Sequence, residues 1–532
     1  MPRASPYGGA LRQRAPVLAA ALGIALLLPG TPTPLAGGPS RRLPGRIPKS
    51  PPYVAGFPIP FPRPSDYRAR QGSVVSIDLG KEGGTGLVVS ITSGLVTLLR
   101  PDESGVIHPA AGWPRTFDAL PQPAYPLGTP GVGDLDGDGV PEIVTCVVSG
   151  NLPRRNFLYA FRTDGSDLPG WPVEVPHEGS DYYSCSPAGV LLADLDGDGR
   201  MEVVRGMNQG EVQAFSGDGR PVPGWPFRLG VDSFGRPRGL NADLAAADLD
   251  GDGRDEVIFA ESGFEPRLVA VSGDAHLLPG FPRILPSLID RQAPVVGDLD
   301  GDGHPEVVQA TLPFTGDMLP SLPYAGGRLT ERTGAGRSAP DSRGSGGADP
   351  VPPLAPAEVI VLHADGSAAA GWPRTLAIGG PWGALLADLN GDGLPEILQQ
   401  DGGLLYAFDA GGGVLSGFPQ RIHRDFLRSQ AIEESPWLAT DLDGDRQVEL
   451  IQARSDLYAG FSYLRVFGLR GTGQPVRGFP FEAEGLLAAS PPVAVDLNRD
   501  GVRDLVMLTT AGPSGPWSLL AWDLGAQGRG RL

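Results

Sequence analysis

The sequence predicts an all-β fold, a β-propeller built from four-stranded blades. Three observations lead to this prediction. A nine-residue acidic loop recurs seven times along the chain, and a Gly-aromatic-Pro tripeptide alternates with it. Short runs rich in Val, Ile and Leu lie between these markers, such as residues 142–148 and 157–161, and they have the length of strands. Four strands in a unit of about 50 residues is the pattern of a propeller blade.

The acidic loop carries Asp, Asn or Glu at positions 1, 3, 5 and 9, and glycine at position 6 in six of the seven copies. Position 7 is expected to contribute its backbone carbonyl. The candidate ligands, copy by copy, are Asp134, Asp136, Asp138, Val140 and Glu142; Asp194, Asp196, Asp198, Arg200 and Glu202; Asp248, Asp250, Asp252, Arg254 and Glu256; Asp298, Asp300, Asp302, His304 and Glu306; Asp388, Asn390, Asp392, Leu394 and Glu396; Asp441, Asp443, Asp445, Gln447 and Glu449; and Asp496, Asn498, Asp500, Val502 and Asp504.

Such a set of ligands predicts calcium binding. All of these ligands are oxygen atoms, and Ca²⁺ prefers six to eight oxygens. The loop is not an EF-hand, because that motif requires Glu at position 12 and flanking helices. Of the 61 acidic residues, 26 occupy these positions, and they would repel one another without a cation. We expect up to seven ions, with the loop containing Arg446 less suited than the others; the alternative is that the loops are simple β-turns.

The tripeptide marker sets the number of blades. Its aromatic residues are Trp113, Trp171, Trp225, Phe281, Trp372, Phe418 and Phe479, with an eighth at Phe57. The segment from Asp78 to Gly83 resembles a degenerate acidic loop, which we expect to bind no ion. The unit of Asp496 lacks a marker and a last strand, and the segment around Phe57 fits this gap. The sequence thus favours eight blades over seven, closed by pairing between the N- and C-terminal strands, which removes exposed sheet edges.

Residues 1–36 read as a signal peptide, with basic residues before an apolar segment and cleavage after Ala36; an uncleaved membrane anchor is the alternative. Residues 37–53 are expected to be a flexible linker, residues 54–526 the propeller, and residues 320–356 a disordered insert rich in Gly, Ser, Pro and Arg. The mature chain would be a secreted, periplasmic or cell-surface monomer without a membrane span. Outside the cell, Cys146 and Cys185 are expected either to pair or to stay as buried thiols.

Composition and motifs also narrow the function. The net charge of −18 argues against a nucleic-acid binder, which would carry a basic surface. The sequence contains no G-x-S-x-G, phosphate-binding Gly-Lys-Ser/Thr or H-E-x-x-H motif, so we expect a binding protein rather than an enzyme. Loops on the face opposite the acidic loops carry candidate anchors for a partner. These anchors are Tyr182, Tyr183, Phe234, Arg236, Arg238, His423, Arg424 and Arg428.

The acidic motif between short strands resembles the FG-GAP or VCBS repeats of integrin α-subunit propellers and of exported bacterial proteins. A Ser-Pro or Ala-Pro pair precedes several copies, as at Ser186, Ala293, Ser435 and Ser490, and looks like the second half of that motif. The resemblance covers about residues 52–525 and implies a calcium-stabilised propeller for adhesion to a protein or glycan. Two alternatives remain: a calcium-dependent polysaccharide lyase, since some eight-bladed calcium-containing propellers are lyases, and a purely structural surface protein.

Overall fold

The computed structural model describes residues 50–61, 72–80, 84–150, 154–175, 189–207, 210–233, 235, 238–262, 265–313, 355–422, 430–458, 461–483, 485–487, 490–510 and 516–525. The propeller lies within one compact unit, Ile47–Leu532. The predicted signal peptide and most of the predicted insert lie outside the described residues. No helix among the described residues is both long and apolar enough to cross a membrane.

The described strands form eight antiparallel sheets, which confirms the prediction of eight blades. The first blade comprises β2 (Gly72–Asp78), β3 (Thr85–Ile91), β4 (Leu95–Pro101), β5 (Ile107–Pro109) and β6 (Arg115–Thr116). The second comprises β7 (Ala124–Gly133), β8 (Glu142–Ser149), β9 (Arg155–Phe161) and β10 (Val173–Val175). The third comprises β11 (Leu191–Ala193), β12 (Glu202–Gly206), β13 (Glu211–Phe215) and β14 (Phe227–Arg228). The fourth comprises β15 (Ala245–Ala247), β16 (Glu256–Glu261), β17 (Arg267–Val271) and β18 (Arg283–Ile284).

The remaining blades follow the same order of strands. The fifth comprises β19 (Val295–Gly297), β20 (Glu306–Ala310), β21 (Ala357–Leu362) and β22 (Arg374–Leu376). The sixth comprises β23 (Leu385–Ala387), β24 (Glu396–Asp401), β25 (Leu404–Phe408) and β26 (Gln420–Arg421). The seventh comprises β27 (Gln430–Glu434), β28 (Leu438–Thr440), β29 (Glu449–Tyr458), β30 (Phe461–Arg470) and β31 (Phe481–Ala483). The eighth comprises β1 (Ile59–Phe61), β32 (Leu486–Leu487), β33 (Val493–Val495), β34 (Asp504–Thr510) and β35 (Trp517–Trp522).

Both ends of the chain build the eighth blade. Strand β1 pairs antiparallel with β35, with Ile59 opposite Leu519, as the sequence predicted. Upstream of β1, Tyr53 forms a further bridge to Trp522, and the Asp523 amide donates to the Pro52 carbonyl over 2.8 Å. The last residues of the predicted linker are therefore bound to the final strand. This closure pairs the edge strands that an open array would expose.

The hydrophobic core is divided into eight clusters, each formed between two neighbouring blades. The cluster between the first two blades, for example, joins Leu98 to Phe157. The second strands of the blades that carry acidic loops are buried along almost their whole length, because they are covered on both faces. Within the second strand of the second blade, Cys146 is disulfide-bonded, whereas Cys185 lies outside the described residues.

At four blade boundaries, the tryptophan of the tripeptide marker forms a hydrogen bond to the next blade. The indole Nε1–H of Trp225 donates to the Gly273 carbonyl of the following blade over 2.7 Å, and three other tryptophans repeat this contact. The glycine before the tryptophan, Gly224, has a φ of +93°, and a Cβ there would overlap the Asp274 carbonyl. Glycine is thus required by the close approach of two blades. All eight aromatic–Pro bonds of these markers are cis.

Candidate metal centres and central cavity

Each acidic loop follows a strand that is three residues long in six of the seven blades, and it leads into the strand that begins with its position-9 acid. The backbone of the loop wraps around its first aspartate. In the second blade, Asp134 accepts the Gly137 amide at Oδ1 over 2.7 Å and the Gly139 amide at Oδ2 over 2.8 Å. The amide of Val140, at position 7, donates to Asp138 over 2.8 Å. These turns need left-handed backbone at positions 4 and 6, where Gly137 and Gly139 have φ near +80°. These bonds and dihedral angles fix the course of the loop backbone.

The acid at position 9 begins the second strand and is buried. In all seven copies its carboxylate accepts the backbone N–H of position 2 over 2.7–2.9 Å, as Glu142 does from Leu135. Burial first, and repulsion by nearby acids second, raise the pKa of the carboxyl to about 7 at Glu142, Glu202, Glu256, Glu449 and Asp504. Burial is also the main cause that raises the pKa values of Glu306 and Glu396. A buried carboxylate near other carboxylates is costly unless a cation accompanies it.

Five loops bring three carboxylate oxygens within 4.8 Å of one another. These sets are Asp134, Asp136 and Glu142; Asp194, Asp196 and Glu202; Asp248, Asp250 and Glu256; Asp298, Asp300 and Asp302; and Asp441, Asp443 and Glu449. Two oxygens bound to one Ca²⁺ at 2.3–2.6 Å lie at most about 5 Å apart. The spacing of the oxygens therefore fits calcium, and the donor set is that of a hard cation.

The other two loops contain asparagine at position 3. The Asn390 amide donates to Asp392 and Glu396 over 2.9 and 2.6 Å, which partly satisfies the charge of that loop. In the loop of Asp496, the Asp504 side chain is fully buried; its Oδ2 accepts the Leu497 amide over 2.9 Å, and its Oδ1 has no hydrogen-bond partner among the described residues. An orphaned buried carboxylate oxygen fits a site that is completed by a cation.

The one loop without glycine at position 6 keeps the same backbone. Arg446 has a φ of +68°, and its amide donates to Asp441 over 2.9 Å, just as the glycine does elsewhere. The loop therefore keeps its backbone although Arg446 replaces glycine, and Arg446 itself takes the strained left-handed conformation. Its cluster of Asp441, Asp443 and Glu449 is retained.

Two basic residues near the loops escaped the sequence analysis. Arg162 Nη2 lies 2.7 Å from Asp136 Oδ2, and His363 Nδ1 lies 3.2 Å from Glu306 Oε1. In this second loop the oxygen cluster contains Asp302 and lacks the position-9 acid, Glu306, which is the acid that contacts His363. Both basic residues stand nine positions before the aromatic residue of their marker, which is the signal that alignment of the repeats would have given.

Neighbouring acidic loops touch across the blade boundaries. The Met201 amide donates to the Asp134 carbonyl over 3.1 Å, and the Asp255 amide donates to the Asp194 carbonyl over 2.8 Å. Asp255 also accepts the Asp194 amide over 3.0 Å. Because consecutive loops share these bonds, they lie side by side on one face, and an ion in one loop would also affect the joint between two blades.

Of the predicted partner-binding residues, only Arg238 is described. Its side chain is 6% exposed and is held by buried Glu261, at 3.6 Å, and by Glu265, at 3.4 Å. A further bond runs from Arg238 Nη1 to the Glu265 carbonyl over 2.5 Å. Arg238 therefore belongs to a buried ion network, and little of it is available to a partner. Tyr182, Tyr183, Phe234, Arg236, His423, Arg424 and Arg428 lie outside the described residues.

A central cavity of about 540 Å³ is lined by residues from all eight blades. Its lining comes from the start of the first strands, as at Leu191, and from the end of the second strands, as at Gln400. It therefore lies at the end of these strands remote from the acidic loops. Two half-buried tryptophans contribute to it: Trp382 donates to the Glu434 carbonyl over 3.1 Å, and Trp437 donates to Gln400 over 3.4 Å. Sequence reasoning did not single out these tryptophans.

Comparison with known proteins identifies the repeat. The FG-GAP-like repeat matches residues 134–205, 194–259 and 248–308, so each match begins at the first aspartate of one acidic loop and ends in the second strand of the next blade. Among curated proteins, none matches this chain.

Solved structures with a similar arrangement are distant in sequence. The biofilm matrix protein Bap1 of V. cholerae is 14% identical, with 90% of this chain and 91% of that chain covered and a TM-score of 0.48. BBS1N, in its complex with ARL6DN, is 10% identical, with 88% and 98% covered and a TM-score of 0.40. The C-terminal domain of Pseudomonas aeruginosa PilY1 is 13% identical, with 85% and 84% covered and a TM-score of 0.32.

Proposed function

We propose that this chain, whose matched repeats and eight blades fit an FG-GAP repeat protein, is an exported calcium-binding propeller that serves as an interaction module for an extracellular protein or glycan. The observation that carries the calcium proposal is the set of five loops that each hold three carboxylate oxygens within 4.8 Å. The buried, orphaned oxygen of Asp504 supports a sixth.

Calcium would supply positive charge to oxygen clusters that consist of carboxylates. Asp134, Asp136 and Glu142 hold the ion in the second blade, with Asp138 and the Val140 carbonyl as further oxygen donors. Because the ligands come from both ends of the connection between two strands, the loaded loop holds those strands together. Each site filled at one hundred times its Kd adds about 2.7 kcal/mol to the free energy of unfolding.

The calcium proposal is tested on the purified chain with thermal unfolding in excess calcium and in chelator, together with the number of ions bound. We expect a large rise in Tm with calcium and about six or seven ions per chain. The double variant Asp194→Asn/Asp196→Asn should lose one ion, whereas Asp218→Asn, in a turn outside the loops, should lose none. Absence of both bound calcium and a Tm shift would refute the proposal.

The partner is proposed to bind at the central cavity, on the side remote from the ions. A cavity of this size is in the range of ligand sites, and tryptophans are favoured anchors in binding surfaces. Binding is tested with polygalacturonate as an acidic glycan and dextran as a neutral one, in calcium. Trp437→Ala should weaken the retention of the chain on the glycan that it recognises, whereas Ile284→Ala, at an outer position 75% exposed, should not. Equal retention of both variants would exclude the cavity as the site.

We propose that binding, rather than catalysis, is the activity of the propeller. Carboxylates that hold calcium are poor general acids, because they must remain ionised. Incubation with polygalacturonate distinguishes this proposal from the lyase alternative, since a lyase releases unsaturated ends that absorb ultraviolet light. A rise in absorbance that depends on calcium and enzyme concentration would favour the lyase.

Export and monomeric state complete the proposal. The mass of the chain isolated from the producing cells should correspond to a start at Gly37, and the protein should be found outside the cytoplasm. Light scattering should give the mass of a single chain. Recovery of the uncleaved chain in the membrane fraction would favour the anchor alternative instead.

A further inference from the structure

One position of the repeat lies at the end of the strand that follows, in the chain, the strand beginning with the position-9 acid. It stands nine positions before the aromatic residue of the marker, and in five of six blades it directly follows the last bridged residue of its strand. In six blades its amide donates to the carbonyl four residues on, over 2.7–2.9 Å, so the six positions are structurally equivalent. In the seventh blade this residue stands directly opposite the position-9 acid in the sheet register. We name it the facing position; its occupants are Arg162, Ser216, Ser272, His363, Asp409 and Arg470.

In the second blade the facing residue enters the acidic loop. The guanidinium of Arg162 lies 2.7 Å from Asp136, whose other neighbours in the oxygen cluster are Asp134 and Glu142. The hydrogen bond to Asp136, followed by the charges of Asp136, Glu142 and Asp138, raises the pKa of Arg162. One carboxylate oxygen of this loop is therefore bonded to a cation that belongs to the chain itself.

In the third and fourth blades the facing residue is neutral and turns away. Ser216 donates to Asp218 over 2.7 Å, and Ser272 donates to Asp274 over 2.6 Å, both within the adjacent turn. The carboxylates of these two acidic loops form no ion pair with any described residue. Their oxygen clusters are otherwise the same as in the second blade, with three carboxylates within 4.8 Å. The three loops also differ at position 7, where Arg200 and Arg254 stand in place of Val140, but neither arginine forms an ion pair with a loop carboxylate among the described residues. The loops therefore differ in whether a positive charge is bonded to the oxygen cluster.

We propose that Arg162 is a built-in counter-cation of the Asp134 loop, and that the residue at the facing position sets the calcium affinity of each blade. This inference rests on the proposed calcium binding. The loops of the blades that carry Ser216 and Ser272 bind calcium more tightly than the loop that contacts Arg162, because Arg162 occupies one oxygen of the candidate ligand Asp136 and repels a divalent ion. A unit charge about 5–8 Å from a divalent ion in water-like surroundings changes the affinity by roughly tenfold.

A pair of opposite substitutions tests this inference. Arg162→Ser gives the second blade the facing residue of the third, and Ser216→Arg makes the reverse change. Calcium binding is measured by titration calorimetry with calcium chloride, and stability by thermal unfolding in chelator. Arg162→Ser should bind calcium about tenfold more tightly at one site and be less stable than the wild type in chelator. Ser216→Arg should weaken one site and be more stable in chelator.

Opposite signs in calcium and in chelator separate charge compensation from packing, because a variant that merely packs poorly is destabilised in both conditions. Arg162→Lys, which keeps the charge, should retain an affinity near that of the wild type. If the wild type binds calcium and both serine–arginine exchanges leave its affinities unchanged, the inference is wrong. If the wild type binds no calcium, the proposed function fails. In that case, calcium binding by Arg162→Ser would still support the inference. Absence of calcium binding by both proteins would overturn it.

Discussion

Replacing the buried acid of one acidic loop should change stability in opposite directions with and without calcium. Glu256 is 1% exposed and accepts the Leu249 amide over 2.8 Å, a bond that glutamine can also accept through its side-chain oxygen. Glu256→Gln therefore removes the charge while keeping the size and the hydrogen bond. The loop around it contains Asp248 and Asp250, within 4.8 Å.

The size of the effect without calcium follows from the pKa of Glu256, which burial and then the neighbouring aspartates raise from 4.5 to about 7. This rise corresponds to about 3 kcal/mol at most, and solvent screening at the open side of the loop reduces it to about 1–2 kcal/mol. Because the folded-state pKa is raised, the contribution of this group to stability is complete below pH 4.5 and is lost as the pH rises through 7. At pH 8 in chelator, Glu256→Gln should therefore be more stable than the wild type by about 1–2 kcal/mol.

In calcium, Glu256→Gln should be less stable than the wild type. A carboxylate about 4 Å from a divalent ion in water-like surroundings contributes about 2 kcal/mol, so its loss weakens the site by about 30-fold. The assay is urea unfolding at pH 5 and pH 8, in calcium and in chelator, with Glu174→Gln, which removes an exposed surface ion pair, as the control. The advantage of Glu256→Gln in chelator should be lost at pH 5. Equal destabilisation of Glu256→Gln in calcium and in chelator would refute this reasoning.

Three further predictions concern the loop backbone and the contacts between blades. The left-handed conformation of Arg446 costs about 1–2 kcal/mol, which Arg446→Gly removes. The greater chain entropy of glycine offsets part of this gain, so the Tm in chelator should rise slightly. The calcium affinity should also rise. Trp225→Phe leaves a carbonyl of the next blade without its donor and should cost about 1–3 kcal/mol in urea unfolding. Gly280→Ala, whose Cβ would overlap the Asp365 carbonyl, should cost more than Gly230→Ala, where φ is also positive but no atom lies within 4 Å; equal losses in Tm would contradict the proposed contact.

The repeats made most of the fold predictable. The Gly-aromatic-Pro marker and the acidic loop are local signals, and each recurs with strands of the expected length between its copies, so their alternation predicted the blades. The missing last strand of the Asp496 unit and the unclaimed segment near Phe57 also predicted the closure, which the pairing of Ile59 with Leu519 confirms. These signals are readable because every blade repeats the same local backbone requirements.

The sequence predicted which carboxylates each candidate loop brings together, but it did not predict which basic side chains contact them. The positions of Asp134, Asp136 and Glu142 follow from a nine-residue pattern. The contact of Arg162 with this loop does not, because it joins residues from the loop and from the third strand, and their distance depends on the register between strands. The sequence also did not predict that Arg238 is buried, because its burial depends on contacts with Glu261 and Glu265.

By itself, the sequence determined the all-β repeat architecture, the number of blades and the seven oxygen-rich loops, because each of these is encoded within a short stretch of chain. Only the tertiary structure decided which oxygen cluster is bonded to a basic side chain, how deeply the position-9 acids are buried, and that Trp382 and Trp437 both line the central cavity. Those features depend on contacts between strands and between blades, and such distances are fixed only when the ring of eight sheets closes.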